Sequence, residues 1–83
     1  MKIYPNPSNS YCDVSLLSQL DDNMKVEIIS TIGQTIFSED YIVKTGINKI
    51  NLNLEQFSSA LYLFRITTSS GKYFDTKQLI IND

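Results

Sequence analysis

Apolar and polar residues alternate one for one along this chain, in short runs cut by turn residues. Cys12, Val14 and Leu16 fall on one side of such a run, with Asp13 and Ser15 on the other. Successive side chains of a strand point to opposite faces, so this period of two predicts a half-buried strand. Beyond a predicted turn at Asp21-Asp22-Asn23, Met24, Val26 and Ile28 alternate against Lys25 and Glu27. Gly33-Gln34 breaks that run, and Thr35-Ile36-Phe37 resumes it as a hairpin partner. Ile47-Asn48-Lys49-Ile50-Asn51-Leu52 alternates again after Gly46, and its β-branched residues and asparagines suit a strand. Tyr62, Phe64 and Ile66 then alternate with Leu63, Arg65 and Thr67, and Thr68-Ser69-Ser70-Gly71 turns the chain. A last strand is predicted from Tyr73 to Ile81, with Phe74 and Ile80 on one parity and Leu79 and Ile81 on the other.

These runs predict an all-β chain: an immunoglobulin-like Greek-key β-sandwich of about seven short antiparallel strands, spaced roughly 8–12 residues apart. The likeness is architectural, since there is no Trp and no second Cys for the antibody-type core. Parallel α/β folds are excluded because no gap holds a crossover helix. Leu54-Glu55-Gln56-Phe57 has helical composition but is too short to stand alone, and is read as a corner crossing between sheets. Residues 3–10 form a Pro-rich strap lying across a sandwich edge. Pro5 and Pro7 fix φ there and bias their predecessors towards extended geometry. The chain of 83 residues is one domain, with the strap at 3–10 and the sandwich at 11–81. A domain of this size has a net stability of about 4–12 kcal/mol, at ~0.05–0.15 kcal/mol per residue.

Composition removes most chemistry. Histidine is absent, which excludes Ser-His and Cys-His nucleophile systems, a histidine general base and His-containing zinc sites. Cys12 is alone, so no internal disulfide forms, and its apolar parity makes it an inert core residue. The doublets Asp21-Asp22 and Glu39-Asp40 match no calcium loop and are read as solvated hairpin tips. Gly33 and Gly71 belong to no phosphate-cradling loop and are read as turn positions of positive φ. A net charge of −2, with seven scattered basic residues, excludes a nucleic-acid footprint. No apolar run approaches the ~20 residues of a membrane helix, so no direct membrane insertion is expected. The N-terminal residues meet Pro5 at once and lack a signal-peptide stretch. The chain therefore either stays inside the cell or is a piece of a longer precursor. Neither a catalytic residue nor a cofactor or metal site is predicted.

The ordered blocks are more specific. Tyr4-Pro5-Asn6-Pro7 opens the chain, and Val26-Glu27-Ile28-Ile29-Ser30-Thr31-Ile32-Gly33-Gln34 follows. Gly46-Ile47-Asn48-Lys49-Ile50-Asn51-Leu52 comes next, then Phe57-Ser58-Ser59-Ala60-Leu61-Tyr62-Leu63-Phe64-Arg65-Ile66. Gly71 leads into a final strand with Lys77-Gln78-Leu79-Ile80-Ile81. In order and spacing this resembles the C-terminal sorting domain of cargo proteins of the Bacteroidetes type IX secretion system. One departure stands out: the family's Leu-Pro-x-Gly-x-Tyr block has Ser58 and Ala60 where Pro and Gly are usual.

The resemblance implies a sorting-signal motif at Tyr4, Pro5, Asn6, Pro7, Gly33, Gly46, Tyr62, Gly71, Lys77, Leu79, Ile80 and Ile81. It implies an exported domain at the end of an upstream cargo, with the outer-membrane translocon and shuttle components as partners. A surface protease is expected to cut N-terminal to the Tyr4-Pro5-Asn6-Pro7 segment. An edge strand offers unpaired main-chain groups, so Lys72, Lys77 and the Leu79–Ile81 strand are expected in the recognised surface, Lys77 alternatively as a gatekeeper charge. The competing reading is a stand-alone adhesion or carbohydrate-binding sandwich, in which exposed rings among Tyr4, Tyr11, Tyr41, Tyr62 and Tyr73 would stack on sugars; Tyr62 lies on inward parity and is read as a core ring with its hydroxyl on nearby backbone, like a tyrosine corner.

Overall fold

A computed structural model describes residues 1–6 and 8–82. Its strands are β1 (Lys2–Tyr4), β2 (Tyr11–Ser18), β3 (Asp22–Ile29), β4 (Thr35–Val43), β5 (Gly46–Asn53), β6 (Ala60–Thr68) and β7 (Phe74–Ile81). One sheet has the order β1-β2-β5 and the other β4-β3-β6-β7, with all neighbouring strands antiparallel. The chain changes sheet between β2 and β3, between β4 and β5, and between β5 and β6. The β3–β4 and β6–β7 pairs are hairpins within one sheet. This is the predicted sandwich, with an immunoglobulin-like strand order.

The core lies between the sheets and comes from the parity read in the sequence. Cys12, Val14 and Leu16 on β2 face Met24, Val26 and Ile28 on β3, with Tyr62, Phe64 and Ile66 on β6. Leu79 and Ile81 extend this layer under β7. Leu54 and Phe57, on the predicted corner crossing, plug one end as the chain passes from β5 to β6. A turn bond from Phe57 N to Leu54 O, at 3.1 Å, shapes that corner. Phe57 meets Phe37 edge-on and Tyr62 at a tilt, with ring centroids 6.1 and 6.2 Å away. Rings at such offsets add about 0.5–1.5 kcal/mol beyond their buried area.

Three local expectations are corrected. Ile3 and Tyr4, assigned to the strap, belong instead to β1, because Lys2–Tyr4 pairs with Asp13–Ser15. Three residues are too few for an alternation signal. Asp22 and Asn23 open β3 rather than forming a turn. Glu39 and Asp40 sit mid-strand in β4, not at a hairpin tip. β4 is an edge strand reached by water from its side as well as its face, so polar residues occupy both parities there and blur the period of two.

Candidate functional site

Two blocks of the sequence motif that lie more than 70 residues apart meet at one edge of the sandwich. After β1 the chain leaves the first sheet and runs along β7 of the second. The Tyr4–Pro5 bond is cis. Asn6 acts as an amide clip: its Nδ2 donates to Gln78 O at 2.9 Å, and its Oδ1 accepts from Ile80 N at 3.0 Å. Ser8 continues with main-chain bonds, donating to Ile80 O at 2.8 Å and accepting from Asn82 N at 2.7 Å. Ser8 and Ile81 form a parallel bridge. The Ser8 hydroxyl turns back and donates to Pro5 O, and the residue is almost fully buried. Pro7 lies outside the described residues.

The expected free edge at the chain end is therefore closed. Main-chain groups of alternate residues face the same side of a strand, so Gln78, Ile80 and Asn82 point at the strap, whereas Leu79 and Ile81 bond to β6. Leu79 and Ile81 are 0 % and 2 % exposed and serve the core, leaving Ile80 at 40 % as the accessible apolar member of the trio. Lys77 is exposed and stands in a shallow groove with Lys2, Tyr4 and Asn6, beside the clip. Lys72 is far from it, in the β6–β7 turn.

The remaining motif residues shape turns and corners. Gly33 and Gly71 adopt φ of +87° and +74°, in the β3–β4 and β6–β7 turns, where a Cβ would strain the backbone. Gly46, at the β4–β5 turn, also has positive φ. Tyr62 is buried, and its hydroxyl donates to Ser58 O at 2.6 Å, a tyrosine corner that ties the sheet crossing to β6. Ala60 replaces the family's usual Gly without strain, because no described non-glycine residue has positive φ.

The sequence profile of the family described as "Secretion system C-terminal sorting domain" matches residues 2–82. The chain belongs to that family, the sorting domains of type IX secretion. Neither the curated proteins nor the solved structures compared with the chain gave a match.

The single cysteine of the sorting domain lies in the core. Burial, and then the Asp13 charge, push the Cys12 thiol up to about 11, so it is protonated and unreactive near neutrality. Among the described residues no three Cys, Asp or Glu side chains converge to hold a metal. The five tyrosines do not assemble into a stacking platform. Tyr62 is in the core, and Tyr41 and Tyr73 are partly buried with hydroxyls on Glu39 and Asp75. Only Tyr4 and Tyr11 are exposed.

The Asp21-Asp22 doublet has a role that sequence reasoning missed. Asp21 accepts from the N–H and hydroxyl of Thr45, which lower its pKa. Asp22 accepts from the hydroxyl and N–H of Ser70 and from Asn23 N, and its pKa is also lowered. The doublet thus ties the start of β3 to the β4–β5 and β6–β7 turns. Its partners lie 24 and 48 residues away, so no local spacing announces it.

Proposed function

We propose that this sorting domain is the C-terminal address of a larger cargo protein. The cargo is exported to the periplasm, carried by shuttle components through the outer-membrane translocon, and trimmed by a surface protease N-terminal to Tyr4. The domain is then a substrate of the machinery with no chemistry of its own. The cargo is released or held at the surface. The family match over residues 2–82 supports this reading, because it takes in the strap as well as the last strand.

Within this reading, the surface presented to the machinery is the corner formed by Lys77, Ile80 and the Asn6 clip. Leu79 and Ile81 hold that corner in place from the core side. A reporter fused upstream of the domain, in a host with type IX secretion, tests the proposal. Wild-type fusion delivers the reporter to the surface, and mass spectrometry of the mature reporter finds residues 4–82 gone. Lys77→Ala combined with Ile80→Ser, both exposed changes that leave the core intact, traps the fusion in the periplasm. Surface delivery of a reporter that retains the whole domain would remove the cleavage step. Undiminished delivery of the double variant would remove the recognition corner.

A further inference from the structure

Among the described residues the two sheets have four edge strands, and these are not guarded alike. β1 is only three residues long. β7 carries Lys77, and the strap occupies its C-terminal half. β5 carries Lys49 near its middle. β4 runs for nine residues with neither Lys nor Pro, and no described strand pairs with its outer side. Natural edges are blunted by shortness, lysine, proline, a covering segment, charges or bulges; β4 has only the last two, the acidic pair Glu39 and Asp40 and an irregularity at one end.

The direction of its main-chain groups follows from one bond. Asn23 O accepts from Ser69 N at 2.8 Å, so Asn23 faces β6. Alternation then turns Met24, Val26 and Ile28 towards β4, and their partners Tyr41, Glu39 and Phe37 towards β3. Ser38, Asp40 and Ile42 are left pointing outward. Lys44, next on the same parity, has its N–H and C=O held by the Asn48 side chain at 3.0 and 2.7 Å, which marks one end of the open stretch. The irregularity between Ile28 and Ile29, where Ile36 is left without a partner, marks the other.

Charge selects what can dock there. Glu39 and Asp40 occupy the middle of β4 and are exposed. Lys25 lies opposite Asp40 across the β3–β4 pair, and Lys44 is engaged with Asp21 at 3.9 Å. A second copy pairing antiparallel about Glu39 would set Glu39 against Glu39, and pairing about Asp40 would set Asp40 against Asp40. Like charges directly opposite are destabilising. We propose that the Ser38–Ile42 edge of β4 is a strand-addition site for an extended peptide segment bearing Lys or Arg opposite Glu39 and Asp40, and that these charges disfavour pairing with a second copy of this domain centred on either of them. This surface lies on the opposite side of the sandwich from the strap and does not depend on the sorting reading.

The test uses the isotope-labelled domain and a blocked nine-residue peptide of alternating threonine and valine with two adjacent central lysines, which meet Glu39 and Asp40 on opposite faces of the sheet. Saturable amide shifts and slowed hydrogen exchange are expected at Ser38, Asp40 and Ile42. A glutamate-for-lysine version of the peptide should bind about tenfold more weakly, as two lost exposed charge pairs imply. Charge reversal of the domain by Glu39→Lys with Asp40→Lys should invert that preference. The same lysine peptide, methylated on every backbone nitrogen so that neither edge can pair, should not bind. This control needs no variant domain and remains decisive if the charge-reversed domain fails to fold. Equal binding by the methylated peptide, shifts centred on Thr76 and Gln78 of β7, or self-association through β4 centred on Glu39 or Asp40 would each overturn the proposal.

Discussion

Tyr62 shows how one residue serves core and corner together. Its ring packs against Phe57 while its hydroxyl closes on Ser58 O, and the two functions separate cleanly by substitution. Tyr62→Phe keeps the ring and loses one hydrogen bond, worth about 1 kcal/mol net. The melting temperature should fall by about 4–8 °C for a domain of this size, with an unchanged denaturant slope. A fall of a degree or less would mean that the corner is held by packing alone. The alternation of the strand made Tyr62 legible as an inward ring, and its place after a sheet crossing made the hydroxyl bond legible as well.

At the scale of elements, the strap is the device that turns an open sandwich edge into a closed one. Asn6→Ala removes both bonds of the clip, at a cost of about 1 kcal/mol because the site is wet. The stronger signature is local. The Ile80 amide, which faces the strap, should exchange its hydrogen much faster in the variant, whereas that of Leu79, which faces β6, should not. Equal acceleration at both would indicate general unfolding rather than release of the strap. How much of this the sequence disclosed depended on whether each strand has a dry face and a wet one. β2, β3 and β6 have both, and Cys12, Val26 and Phe64 were placed correctly from parity alone. The prolines disclosed that a strap exists and lies on an edge, but the choice of β7 rests on contacts spanning more than 70 residues. The candidate site was legible as a list of residues through the family resemblance. Its division into exposed residues such as Lys77 and Ile80 and core residues such as Leu79 was not, because a strand at the sandwich margin shows both parities to solvent near one end.

For the molecule as a whole, the titrating groups set a window of stability with two different limits. Asp21 and Asp22 have folded pKa values below their ordinary ones, held there by bonds from Thr45 and Ser70. A depressed carboxyl stabilises the fold above its unfolded pKa, and that contribution disappears as pH falls through the folded one. The acid limb should therefore begin near pH 4 and continue downward. Cys12 at about 11 and Tyr41 at about 12 are shifted upward, chiefly by burial, and Tyr73 is raised for the same reason. For these groups the stabilisation is complete below the unfolded pKa and is lost as pH rises through the folded one, so the alkaline limb should start near pH 9. Melting temperature measured across pH should be flat between about 5 and 8 and fall on both sides. The limbs have separate owners. Asp21→Asn with Asp22→Asn should flatten the acid limb while leaving the alkaline limb in place. Cys12→Ala should lower the whole curve through the cavity it opens and make the alkaline limb shallower between about pH 9 and 11. An alkaline limb unchanged by Cys12→Ala would assign it to Tyr41 and Tyr73 alone. An acid limb unchanged by the double variant would mean that the clamp between the three turns contributes nothing through its charge.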